Sequence, residues 1–183
     1  MTTPRNASIA AIVGCDSCTV QKMFAAVVGD LRAEGLRVIG VIGEAHELPD
    51  RSCAAGFLRD IASRAQFAIY LQDAPRATSC HLDESGIDAA CRQLLPQIRG
   101  CDLLIISKFG KSEVGGGGLT PAFETAIKVH KPILTSVSDL HLTAWRAFAT
   151  DAVTLPCDEL AVRRWWETVR PATGRVVAEA RTA

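Results

Sequence analysis

The sequence predicts an α/β fold, a three-layer sandwich around a mostly parallel central sheet. Three observations predict it. Ser8–Val13, Leu103–Ile106 and Pro132–Val137 are short runs with no polar face, as expected of strands covered by helices on both sides. Segments with helical spacing of apolar residues separate these runs. The first unit, strand–turn–helix–strand from Ser8 to Ile42, needs a crossover and therefore a parallel pair. With 183 residues and no repeat, low-complexity stretch or linker, the chain reads as one domain over 1–183. Its ordered core is expected over about residues 7–170.

The elements follow in order. Ser8–Val13 is a buried strand, and Gly14 to Ser17 make the turn after it. Thr19–Glu34 is a helix with Met23, Phe24, Val27 and Leu31 on its apolar stripe and Gly35 as its stop. Leu36–Ile42 is the next strand. Glu44–Ser79 is less regular; Phe67–Leu71 reads as a strand, and polar Gln72–Thr78 as a hairpin or an excursion beyond the sheet. Asp83–Arg99 is a helix that Pro96 kinks or shortens. Leu103–Ile106 is a core strand. Pro121–Val129 is a helix with Thr120 as N-cap and Pro121 in first position. Pro132–Val137 is a strand, and Ser138 or Asp139 caps a helix reaching about Ala149. Ala152–Leu155 is a short strand, Asp158–Val169 a closing helix, and the residues from Pro171 a tail.

Composition narrows the function. Twenty basic and twenty acidic residues cancel, which argues against a nucleic-acid partner, since phosphate-backbone binding needs concentrated positive charge. No apolar run reaches the ~18 residues of a membrane span, and Met1–Asn6 does not resemble the start of a signal peptide. A cytoplasmic setting without membrane insertion is expected. Most of the seven cysteines would then be free thiols, several of them buried.

In open parallel sheets ligands bind beyond the carboxyl ends of the strands. Three loops compete for that role: Gly14–Thr19, Ser107–Thr120 and Val137–Leu140. The second is the richest. Leu103–Ile106 runs into Ser107-Lys108-Phe109-Gly110-Lys111-Ser112-Glu113-Val114 and then Gly115, Gly116, Gly117 and Gly118. Glycines let backbone N–H groups approach a ligand, and Lys108 and Lys111 add charge, so phosphate or another oxyanion is the expected guest. Glu113 is a candidate for holding a metal or orienting water. The competing reading is a surface loop with solubilising lysines.

The Gly14–Thr19 turn has the right place for anion capture at a helix N-terminus, with Gly14, Asp16, Ser17 and Thr19 as its candidate ligand-binding residues. Tested against G-x-x-x-x-G-K-[ST], it fails: the three closing positions are Thr19, Val20 and Gln21. Ordinary hydrolysis by such a loop is therefore not expected, while nucleotide or anion binding stays open. Cys15-Asp16-Ser17-Cys18 is a Cys-x-x-Cys at this turn. A helix N-terminus favours thiolate, so Cys15 and Cys18 suggest redox chemistry or half of a metal site, which Cys53, Cys80 and His81 would have to complete in space. Two small residues in a tight turn is the plainer alternative. The scattered histidines read as structural, and Trp145, Trp165 and Trp166 as packing residues.

Asp102-Leu103-Leu104-Ile105-Ile106-Ser107-Lys108-Phe109-Gly110-Lys111-Ser112-Glu113 with its glycine tail, Phe123-Glu124-x-Ala126 and Lys131-Pro132-Ile133-Leu134 resemble the domain-of-unknown-function 2478 family. Leu82-Asp83, Ala144-Trp145-Arg146-x-Phe148-Ala149 and Trp165-Trp166 agree with it. The resemblance runs from Ile9 to about Trp166. It implies a P-loop-NTPase-like fold, a bacterial setting and molybdenum-related work beside molybdate transport or molybdenum-cofactor genes. It implies no established reaction, and the Cys15/Cys18 pair is not one of its features. The expected function is a nucleotide- or oxyanion-binding protein of molybdenum metabolism. A weak nucleoside triphosphatase using Glu113, and a cysteine-based metal or redox module, are the alternatives. The cofactor expectation is correspondingly open among nucleotide, molybdate and a bound metal ion, with molybdenum-handling proteins as partners.

Overall fold

The computed structural model describes residues 7–46, 55–70 and 82–170. Gln72–Thr78, Cys53, Cys80, His81 and the segment from Pro171 lie outside the described residues. The elements are β1 (Ile9–Ile12), α1 (Ser17–Ala33), β2 (Val38–Ala45), β3 (Ala55–Asp60), β4 (Gln66–Ala68), α2 (Glu84–Leu94), β5 (Leu103–Ile106), α3 (Lys111–Val114), α4 (Thr120–Lys128), β6 (Ile133–Ser136), α5 (Leu142–Phe148), β7 (Val153–Leu155) and α6 (Glu159–Val169). The seven strands form one sheet in the order β4-β3-β2-β5-β6-β1-β7. Pairing is parallel from β2 through β7. Only the β2–β3 and β3–β4 pairs are antiparallel, so β3 alone runs against the rest of the sheet.

Alternation along each central strand fills two cores. Leu103 and Ile105 of β5, Ala10 and Ile12 of β1 and Leu134 of β6 face α1 and α6, where Phe24, Leu31, Val162, Trp165 and Trp166 meet them. Leu104, Ile106, Ala11 and Ile133 face α2, α4 and α5, with Leu94, Phe123 and Trp145 on that side. This is the expected three-layer sandwich with a mostly parallel sheet, and the three tryptophans are core residues.

Several boundaries differ from the sequence expectation. The first helix begins at Ser17, because Asp16 caps it by accepting from the Thr19 amide at 2.9 Å. Pro96 ends α2 early, and Leu95–Gly100 continues as a 3-10 turn. Thr120 is not the N-cap of the next helix. Leu119 takes that position, and the Thr120 hydroxyl donates to the Glu113 carbonyl at 3.4 Å. After β6, Ser138 precedes a 3-10 turn, Asp139–His141, without a side-chain cap, and the α-helix starts only at Leu142. The irregular stretch after Glu44 holds a strand the sequence reading missed: β3 pairs with β2 and with β4. Glu44 and Arg59 form a bidentate pair across it, at 2.5 and 2.9 Å, and the Arg59 guanidinium holds the Glu44 carboxyl below its ordinary range.

Cys101, just before β5, is 1% exposed, and burial pushes its thiol up to about 11. Its folded value lies above its unfolded one, so its contribution to stability is complete below about pH 9 and is lost as pH rises toward 11. The expected result is a fall in denaturation midpoint across that window that is shallower in Cys101→Ala. Equal falls in both proteins would refute the assignment.

Candidate functional site

In the sheet every strand but β3 points its carboxyl end to one edge. β1 and β6 are neighbours, in register from Ile9↔Ile133 to Ile12↔Ser136. β1 sends the chain to α1 on one face, whereas β6 sends it to α5 on the other. The crevice beyond these two strand ends is therefore the topological switch point, where open α/β sheets take their ligands. The turns after β1, β5 and β6, all three singled out by the sequence, open onto this edge.

Side chains knit the edge together. Gln21, buried on α1, donates from Nε2 to the Ser107 carbonyl at 2.9 Å and accepts from the Gly43 amide at 2.7 Å. Ser136 Oγ donates to the same Ser107 carbonyl at 2.7 Å. One helix residue thus bridges the ends of β2 and β5, and a β6 hydroxyl adds the third strand. Beyond Ser107, Phe109 donates its amide to the Ser136 carbonyl at 2.9 Å and forms a parallel bridge with Val137. Its ring packs with Phe123, Trp145 and Phe148, with centroids 5.2 to 5.9 Å away. Lys108 is exposed beside this anchor. Its alkyl chain lies against Gly110, where an added Cβ would sit 3.6 Å from Lys108 Cε. Lys111 opens α3 and is exposed as well.

The glycine run does not form the amide cradle expected of it. The Gly115 amide donates to the Lys111 carbonyl, that of Gly116 to Glu113, and that of Gly117 to Ser112, at 2.9 to 3.1 Å. These bonds close α3 at its carboxyl end, so three of the four amides serve the fold. Gly118, at φ +60°, lies so close to the Glu113 carboxylate that a Cβ would strike it. Glu113 itself is 7% exposed. Its Oε2 accepts the Gly110 amide at 2.9 Å and its Oε1 the Leu119 amide at 3.0 Å. Both oxygens are committed to backbone, a geometry that leaves little of the carboxylate to hold a metal or orient water.

The β1–α1 turn is more acidic than expected. Gly14 turns at φ +71°. Asp16 then occupies the N-cap, and the Thr19 hydroxyl and amide hold its carboxyl below the ordinary range. Its ionised oxygen sits where an anion at a helix N-terminus would sit. Ser17 and Thr19 are exposed in the first turn.

The Cys15/Cys18 pairing needs correction. Cys15 forms a disulfide with Cys157, 142 residues away, and only Cys18 is left as an exposed free thiol. A bonded Cys15 offers no thiolate to a metal. The expectation of mostly free cysteines misses this bond because it depends on β7 lying beside β1. No group of three or more His, Cys, Asp or Glu side chains among the described residues is arranged to hold a metal ion. No helix among them is long and apolar enough to cross a membrane.

The fold and this edge define an α/β protein of the P-loop-NTPase-like kind, with its strand-end turns gathered at one switch point. Residues 9–165 match the family described as "Protein of unknown function (DUF2478)", and the chain belongs to that family. It is also similar to "Molybdenum import ATP-binding protein ModC 2" of Bradyrhizobium diazoefficiens, 28% identical over 162 residues. That match takes in 86% of this chain but only 18% of the relative's length. No solved structure matches the chain.

Proposed function

We propose that the protein binds a nucleotide or a small oxyanion at the switch point between β1 and β6, in the service of molybdenum metabolism. The convergence of the β1, β5 and β6 turns on one edge, tied by Gln21, Ser107 and Ser136, carries this reading. Lys108 supplies the positive charge from a rigid anchor at Phe109, and Lys111 adds to it from the next turn. Gly14, Ser17 and Thr19 contribute from the β1–α1 turn. Gly118 is retained as a spacer beside Glu113 and the other glycines as the end of α3. The link to molybdenum, nucleotide and molybdenum-handling partners rests on the similarity to a protein named as a molybdenum import ATP-binding protein.

Asp16 makes binding without hydrolysis the better-supported reading. Its charge opposes a triphosphate at α1, and the lysine and hydroxyl of a hydrolytic phosphate loop are missing at Val20 and Gln21. Calorimetric titration with ATP, GTP, molybdate and tungstate tests the proposal. At least one should bind saturably. Lys108→Ala should weaken that ligand about tenfold, the scale of one charge-assisted hydrogen bond. Asp16→Asn keeps a good N-cap while removing the charge, and should tighten binding. No heat from any of the four at millimolar concentration would defeat the proposal.

A further inference from the structure

Beyond ligand binding, the same edge carries a cluster of three cysteines. β1 and β7 run side by side, with Ile12 opposite Leu155. The Val13 amide continues the pairing by donating to the Leu155 carbonyl at 3.1 Å. The next turn of each strand holds a cysteine immediately before an aspartate N-cap: Cys15 before Asp16 of α1, and Cys157 before Asp158 of α6. Their Cα atoms are 5.8 Å apart, inside the ordinary range for a disulfide. Cys18 follows within the first turn of α1, exposed and unbonded. An open groove of about 490 Å³ lies between the two helix starts, lined by Thr19, Lys22, Met23, Cys157, Asp158 and Glu159. It gives a small thiol or disulfide a path to Cys157. The other free cysteines among the described residues, Cys91 and Cys101, are buried, so reactive sulfur is concentrated at this edge.

We propose that Cys15, Cys18 and Cys157 form a thiol–disulfide exchange site, in which Cys18 displaces Cys157 from Cys15 and delivers Cys157 as a free thiol into the groove. Cys18 gives its proton to solvent, and its sulfur attacks Cys15 Sγ. The Cys15–Cys18 bond forms and the Cys15–Cys157 bond breaks. The electron pair of the broken bond goes to Cys157 Sγ, which takes a proton from solvent. No electrons are gained or lost overall. Released Cys157 then attacks a small disulfide of the glutathione class, forming a mixed disulfide on Cys157 and releasing one thiolate of the reagent. A purely structural cross-link would need no exposed third thiol one turn away and no open groove at its sulfur. In a reducing compartment, which the sequence leads one to expect, disulfides are characteristically catalytic or redox-sensing. The exchange also unlatches the β1–α1 turn from α6. None of this depends on whether a nucleotide binds.

The full-length protein, equilibrated in mixtures of reduced and oxidised glutathione, provides the test. Aliquots are acid-quenched and alkylated, and their disulfides are mapped by peptide mass spectrometry. Cys15–Cys157 and Cys15–Cys18 should both appear and interconvert, with glutathione carried on Cys157. An intramolecular thiol reacts at a far higher effective concentration than a dissolved one, so Cys18→Ser should slow release of Cys157 at least about tenfold. Cys157→Ser, confirmed as folded by circular dichroism, should contain Cys15–Cys18. Release of Cys157 at the same rate in Cys18→Ser, or alkylation of both Cys15 and Cys157 under the most oxidising mixture, would overturn the proposal.

Discussion

Phe109→Ala will destabilise the protein by about 3–5 kcal/mol, the cost of truncating a fully packed aromatic. Phe109 is 2% exposed. Its ring is shared among Phe123, Trp145 and Phe148, each of which also contacts the others. Removing it leaves a cavity between α4, α5 and the sheet that those three rings cannot close without leaving their own contacts. The same residue holds the end of β5 to the end of β6 through its amide, so Lys108 loses its footing as the core loosens. Phe109→Leu, which keeps most of the volume, should recover much of the stability. Urea unfolding of the three proteins measures this. A loss below about 1 kcal/mol for Phe109→Ala would mean the cluster repacks, and the fixed position assigned to Lys108 would fall with it.

The middle of the sheet was legible in the sequence because its strands are buried on both faces. Leu103–Ile106 has no polar residue to misplace, and burial at 0% for all four bears out the reading. Phe67–Leu71 reads as a strand and overlaps β4, but β3 was illegible for the opposite reason. Ala55–Asp60 mixes Gly56, Arg59 and Asp60 into its run. Asp60 is wholly buried, because its carboxylate accepts from the amides of Ala62 and Ser63 and from Gln97. A sequence shows the charge but not the partners that neutralise its cost. The candidate site divides in the same way. Strand ends and loop positions follow from periodicity, so the three competing turns were identifiable. Where each amide points does not follow from composition. Four glycines in a row signal backbone freedom, yet Gly115, Gly116 and Gly117 use it to close α3 on itself. Asp16 did carry a readable signal, an acidic residue just before a helical stripe, but an N-cap was not read there. Cys157 carried none, since only the strand order brings it to Cys15.

Glu113→Ala is expected to cost about 2–6 kcal/mol, because it strands two buried amides at about 1–3 kcal/mol each. The donors are Gly110, at the start of α3, and Leu119, at the cap of α4. One carboxylate therefore fixes both ends of the loop that follows Lys108. Glu113→Gln keeps one acceptor oxygen but turns an amide NH₂ toward the other N–H, so it should lose roughly 1–3 kcal/mol. A residue acting only on bound substrate would behave differently: its amide variant would keep the wild-type unfolding midpoint and lose a rate. The two roles separate in a paired experiment, chemical denaturation alongside amide hydrogen exchange. If Glu113 is the clasp of the loop, both variants unfold earlier, and the Gly110 and Leu119 amides exchange faster while those of β1 hold. Unchanged stability with unchanged exchange at those two amides would return Glu113 to the list of groups free to work on a ligand.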